Sequence, residues 1–368
     1  MNVIFGSCFF LIAEETYMRF ATGILTLIAV AAAAAGQESK APAGPVLARW
    51  GALTLRPAGF VDTIGMSRNA TTADSVSTKF GRIPLGESEG QSLGTARHSR
   101  LMLTGDMTAG RVRLSGYLES DFMNFTVNQS PYRWRQYWGR AKMGKWEILG
   151  GQAWSLLRPN REGTASDRGT MNTDVIDPAY HVGLLGSRIR QIRITREMGT
   201  YTAAMAWEAD GNVVSKLVRD KNRRHYEVGA FTGRFGRRGA TASATVNLHP
   251  RLRLVTQEYW SKRAAYQALG VVPTGVNGLS TLEGFEAQVR RNFEVYSYAG
   301  VVYASKADAG ANRLVRQWSF GFNQMVNLIP NRMGVLMSLE YSHLDRAVWS
   351  GRTGAMDFLM YRVRYTVN

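Results

Sequence analysis

From about Trp50 to Val367 the chain alternates apolar and polar side chains with a period of two. In residues 111–123, Val112, Leu114, Gly116, Leu118 and Phe122 share one face. Arg111, Arg113, Ser115, Tyr117, Glu119 and Asp121 share the other. Near the C-terminus Leu359, Tyr361, Val363, Tyr365 and Val367 oppose Arg362, Arg364 and Thr366. Residues 335–342 put Val335, Met337, Leu339 and Tyr341 against Ser338, Glu340 and Ser342; residues 317–323 put Trp318, Phe320 and Phe322 against Gln317, Ser319, Gly321 and Asn323. In 285–290, Phe285, Ala287 and Val289 oppose Glu286, Gln288 and Arg290. Period two is the signature of a strand with unlike faces. No window after residue 36 carries a helical period.

The runs are longer than the ~5–6 residues of a globular strand and suit a tilted bilayer crossing. Tight connections (108–110, 143–145, 236–240, 329–332) alternate with long polar ones (66–96, 155–181, 209–224, 262–281). Short turns on one side and long loops on the other predict an all-β transmembrane antiparallel β-barrel of about 16 strands.

Residues 132–159 test that picture. They hold Trp134, Trp138, Trp146 and Trp154, four of the chain's nine tryptophans, among several arginines and lysines. A barrel wall has a lipid side for Trp134, Trp138 and Trp146 and a lumen side for Arg133 and Arg135. Arg140 and Lys142 share parity with the tryptophans and are assigned to the periplasmic rim beside the 143–145 turn.

Composition sharpens the reading. The net charge is +17, with Lys and Arg scattered singly between apolar residues rather than clustered in a tail. A nucleic-acid partner is therefore not expected. Cys8, the single cysteine, excludes a disulfide framework and a cysteine metal site. Residues 18–36 read as a signal peptide: Arg19, an apolar run, small residues, then a polar stretch. Residues 1–17 are expected to be an over-long start, so that 1–36 is the signal region, 37–49 a short periplasmic segment and 50–368 the barrel. The expected location is the bacterial outer membrane, as an integral multi-pass barrel.

The stretches 96–107, 110–122, 132–157 and 186–195, with a paired-Arg strand followed by a Gly-Gln-x-Trp strand, a long loop and a Gln-x-Arg strand, resemble DcaP-like outer-membrane porins. Residues 326–343 and the last strand resemble the same family's C-terminal hairpin. The resemblance spans about residues 50–368. It implies a 16-stranded homotrimeric porin taking up small anionic solutes such as dicarboxylates.

Candidate pore residues follow from the inferred inward faces: Arg111, Arg113, Glu119, Asp121, Arg133, Arg135, Glu147 and Arg193. A row of cations in a narrow pore concentrates anions, and guanidinium forks suit carboxylates. Arginines that only neutralise inward Glu119, Asp121 and Glu147 would give the same pattern. Residues 158–183 form the third long loop, which in porin-like barrels folds inward to constrict the channel; Arg158, Arg161, Asp167, Arg168, Asp174 and Asp177 are its candidates. An exposed surface loop is the alternative. The basic run 217–229 is expected in an extracellular loop, facing lipopolysaccharide phosphates or incoming anions. Outer-membrane lipid and lipopolysaccharide are the expected surroundings, with no cofactor and no metal.

The histidines are His98, His181, His225, His249 and His343, none at metal-ligand spacing from another. Ser342 and His343 are adjacent on one strand, so they point to opposite sides and cannot form a triad. The leading expectation is a diffusive anion channel and not an enzyme. A barrel enzyme of lipase or protease type, and a secreted soluble β-sandwich binding module, are the other readings.

Overall fold

The computed structural model describes residues 46–124, 132–165, 175–221, 224–264, 275–329 and 333–367. The signal region 1–36 and most of the 37–49 segment lie outside them. The strands are β1 (Ala48–Trp50), β2 (Leu53–Arg68), β3 (Gln91–Thr95), β4 (Arg100–Ala109), β5 (Val112–Asp121), β6 (Arg133–Met143), β7 (Trp146–Trp154), β8 (Arg188–Met198) and β9 (Tyr201–Glu208). They continue as β10 (Asn212–Lys221), β11 (Arg224–Gly233), β12 (Arg238–His249), β13 (Leu252–Lys262), β14 (Gly278–Arg290), β15 (Phe293–Ala304), β16 (Asn312–Ile329), β17 (Met333–Val348) and β18 (Thr353–Val367).

Apart from β3 and β4, each strand pairs antiparallel with the next, and β18 closes the circle on β2, from Phe358 opposite Arg68 to Val367 opposite Gly59. β3 and β4 are two halves of one wall strand, since both pair with β2. β1 is a short ribbon on the start of β2. Among the described residues the wall is a closed 16-strand antiparallel barrel. Closure leaves no sheet edge, which is what hydrocarbon surroundings demand of a β-structure.

The outer wall is apolar. Ile148, Ile192, Ile194, Met205, Leu339, Leu359 and Val363 are all exposed. Trp134, Trp207 and Trp260 ring it toward the long-loop end, and Trp146, Tyr201 and Tyr365 toward the short-turn end. Aromatic side chains at both borders of an apolar band mark the two membrane interfaces.

Two expectations change. Trp138 faces inward, 6% exposed and stacked on Tyr117 at 5.4 Å. The cause is a bulge: Glu119 pairs with Gln136 and Ser120 with Trp134, so Arg135 is the extra residue and the strand changes phase there. Arg140 and Lys142 share Trp138's face and pair with Glu147 and Glu197. The basic run 217–229 is not a long loop. β10 and β11 pair along it, up to Lys221 opposite Arg224. Period two persists through the charges: Val214, Lys216 and Val218 are buried inside, while Val213 and Leu217 are exposed outside. The connection expected at 209–224 is only residues 209–211.

Candidate functional site: the lumen and its inward loop

The segment joining β7 to β8 lies against the inside of the barrel wherever it is described. Its described parts, 155–165 and 175–187, are tied to the wall from β10 round to β18. Three inward glutamates hold it. Glu227 accepts from the Asn160 backbone N–H at 3.0 Å, Glu286 from Arg161 Nη2 at 2.7 Å, and Glu340 from the Ile176 N–H at 3.0 Å. Neutral and cationic groups add to these. Val182 N donates to Gln317 Oε1 at 2.8 Å, Gln257 Nε2 donates to Gly183 O at 2.8 Å, and Arg362 donates to Val175 O and Ile176 O. His181 Nε2 lies 3.0 Å from Ser319 Oγ. The seat is tight. A Cβ on Gly183 would meet Thr281 O at 2.0 Å, and one on Gly300 would meet Val182 O at 1.8 Å.

A second inward segment, 69–90, meets the first. Val76, Phe80 and Ile83 share an apolar cluster with Leu156, Leu157, Ile176 and Val182. Thr78 N donates to Asp177 Oδ1 at 3.3 Å. Asp177 also accepts from Ala179 N at 2.7 Å. Its carboxyl is pushed up to about 7, first by burial and then by Glu340. Burial brings His181 down to about 4.

The wall of β4 to β8 has a different character. Arg135 bridges Glu119 and Asp121, Arg133 Nη2 donates to Asp121 Oδ2 at 2.5 Å, and Arg100 lies 3.4 Å from Glu119. Arg158 and Arg188 stack on the Trp154 ring at 3.9 and 4.5 Å. Tyr180 completes this cluster, its ring edge-on to Trp154 at 6.0 Å. Its backbone is left-handed (φ 69°), a conformation a bulky residue keeps only where its surroundings impose it. Burial resists ionisation of its phenol, but Arg188, Arg135, Arg158 and Arg100 outweigh that and bring it down to about 7.

The other sequence candidates fall in several places. Arg111 is in the turn between β4 and β5, not on an inward strand face, because the hairpin turns at Gly110 (φ 58°). Arg113 is inward but near that turn, 63% exposed and 3.3 Å from Asp106. Glu147 pairs with Arg140 at 3.9 Å. Arg193 is buried and donates to Gln191, Thr164 O and Trp154 O, so it braces the neck of the loop. Asp167, Arg168 and Asp174 lie outside the described residues. Residue-type reasoning missed Glu227, Glu286, Glu340, Arg100, Trp154, Tyr180 and Arg188. The inward phase of each strand points at the glutamates, but their use by a loop over a hundred residues away leaves no local trace. Ser342 points inward, where it donates to Glu340, while His343 sits outside beside Asp357 at 2.9 Å.

No family model and no curated protein sequence matches the chain. Solved structures do. The outer membrane channel DcaP of Acinetobacter baumannii superposes with a TM-score of 0.74 at 16% identity, covering 90% of this chain and 100% of that one. The chain has the fold of the outer-membrane porins. OmpT of Vibrio cholerae, an outer membrane protein solved in trimer form, gives a TM-score of 0.56 at 10% identity over 86% of this chain and 99% of that one. OmpF of Salmonella typhi, solved with daunomycin, gives 0.57 at 9% identity over 86% and 98%. A barrel of this strand number has room for an aqueous channel.

Proposed function

We propose that the barrel is a diffusive outer-membrane channel for small anions, carboxylates and dicarboxylates among them. The observation that carries this reading is the charge of the β4–β8 wall. Arg100, Arg133 and Arg135 gather there around two carboxylates, Glu119 and Asp121, and Arg188 of β8 and Arg158 of the segment after β7 add two more cations on the Trp154 ring. An excess of fixed cations inside low-dielectric walls concentrates anions and lowers their barrier to entry. The inward stretches 155–165 and 175–187 act as the constriction, and solute moves down its own gradient. We read the chain as a non-enzymatic homotrimer, 1–36 being removed on export, with its outer loops among lipopolysaccharide. The trimer form of the Vibrio protein supports the assembly.

The test is single-channel conductance of the protein purified from membranes, in a planar bilayer under a KCl gradient. Steady anion-selective steps, blocked by added dicarboxylate, are expected. No conductance from a folded, heat-modifiable barrel, or cation selectivity, would overturn the reading.

A further inference from the structure

Arg158 is 2% exposed, and among the described residues none of its three guanidinium nitrogens has a hydrogen-bond partner. A buried cation in that condition is costly, because it loses its hydration and gains no acceptor. What it has instead is two aromatic faces, Trp154 at 3.9 Å and Tyr180 at 4.6 Å. Such contacts orient a guanidinium and recover part of the cost, but leave its N–H groups unsatisfied. Arg188, half-buried on the same indole at 4.5 Å, has an unpartnered Nη1. The carboxylates of the neighbouring wall are engaged elsewhere. Glu119 and Asp121 already accept from Arg135, and from Gln136 and Arg133 respectively.

We infer that Trp154, Arg158, Tyr180 and Arg188 form a saturable binding site for a small oxyanion, a carboxylate or phosphate, inside the lumen. This deepens the anion-channel reading and rests on it. Two guanidinium groups converging on one indole offer several N–H donors to one oxyanion, the bidentate chemistry at which arginine excels. The site has a way in, since Trp154, Tyr180 and Arg188 are each partly exposed while Arg158 forms its floor. A channel with such a site holds its solute in passing, so its flux saturates.

The test is calorimetric titration of the detergent-solubilised full-length protein with succinate, acetate and inorganic phosphate in separate runs. Wild type is expected to bind at least one of them at a single site. Arg158→Gln and Arg188→Gln should each weaken that binding at least tenfold, and Arg158→Lys should recover only part of it. Succinate or acetate bound without phosphate identifies a carboxylate site, and the reverse a phosphate site. Thermal melting runs alongside. Arg158→Gln removes an unpaired buried cation, so it should still fold, and should lose the stabilisation that the bound anion gives wild type. Equal affinity in wild type and both Gln variants would overturn the site. So would binding that appears only in Asp167→Asn or Asp174→Asn, which would mean that the chain's own carboxylate fills it. Binding without anion conductance would leave the site and sink the channel; conductance without binding would do the opposite.

Discussion

Glu119 and Asp121 on β5 face a crowd of arginines, whereas Glu227, Glu286 and Glu340 on β11, β14 and β17 face the loop. All five point inward from strands of the same pattern. On the first wall the guanidinium groups outnumber the carboxylates, and the surplus charge is left to the lumen. On the second wall the carboxylates are spent on the stretches 155–165 and 175–187, accepting two backbone N–H groups and one guanidinium from them. On the proposed reading, the same residue types set the electrostatics on one side and the shape of the pore on the other. The first role needs imbalance; the second needs each acceptor satisfied.

Breaking the second wall should have the largest effect. Removing the Glu340 carboxylate leaves the Ile176 N–H and the Tyr296 hydroxyl without that acceptor, and Glu286 likewise serves Arg161, Arg253 and Tyr298. Each of Glu340→Ala and Glu286→Ala should cost about 3–5 kcal/mol, since breaking one side of a buried charge network leaves the other uncompensated. Gly300→Val reaches the same end by steric means, because its side chain would occupy the place of Val182 O. All three should raise single-channel conductance as the loop leaves its seat, with selectivity retained. Unchanged conductance in all three would mean that the loop does not set the bore.

On the first wall, Arg135→Gln should act mainly on selectivity. Arg100 and Arg133 still pair with Glu119 and Asp121 in that variant, so the stability cost should be smaller, about 1.5–3 kcal/mol. The reversal potential should move toward cation selectivity, with conductance changed less than by the loop variants. A shift in conductance without one in reversal potential would erase the difference between the walls.

A pH titration sharpens the comparison at the loop. Burial raises the Asp177 carboxyl to about 7, so the folded chain holds a proton there that the unfolded chain has already released. That contribution is present at low pH and is lost as pH rises from about 4 through about 7. His181, lowered to about 4 by burial, works in the opposite sense below its ordinary range: its contribution is lost as pH falls toward 4. Asp177→Asn keeps an acceptor for the Thr78 N–H and removes the first slope alone. Melting curves from pH 5 to 8 should therefore fall with pH in wild type more than in the variant. Parallel curves would show that Asp177 does not titrate in this range.

The wall was legible in the sequence because each strand repeats its own evidence every two residues. Leu359 to Val367 and Val335 to Tyr341 lie outside as their alternation requires. Trp138 was misplaced because a single bulge residue, Arg135, reverses the phase, and a bulge has no signature stronger than the broken alternation it causes. The stretch 217–229 was misplaced for another reason. Its charges are dense enough to read as solvated, although an inward strand face in a barrel tolerates them. The loop's partners were hidden, since contacts such as Ile176 to Glu340 join residues far apart in the chain.

Arg113 is the case where the two kinds of evidence pull apart most, and it should give the smallest effect. Its alternation places it with Arg135, and it is indeed inward. Yet its side chain is 63% exposed, near the short turn, and its partner Asp106 also receives Arg56 at 3.2 Å and the Ser115 hydroxyl at 2.7 Å. An exposed pair of this kind contributes about 0–1 kcal/mol, and salt screens it over about 8–10 Å. Arg113→Gln should therefore leave melting temperature and conductance near wild type, with a small shift in reversal potential visible at low salt and gone at high salt. A shift as large as that of Arg135→Gln, persisting at high salt, would mean that the selectivity of the wall comes from inward parity alone and not from the buried cluster at Glu119 and Asp121.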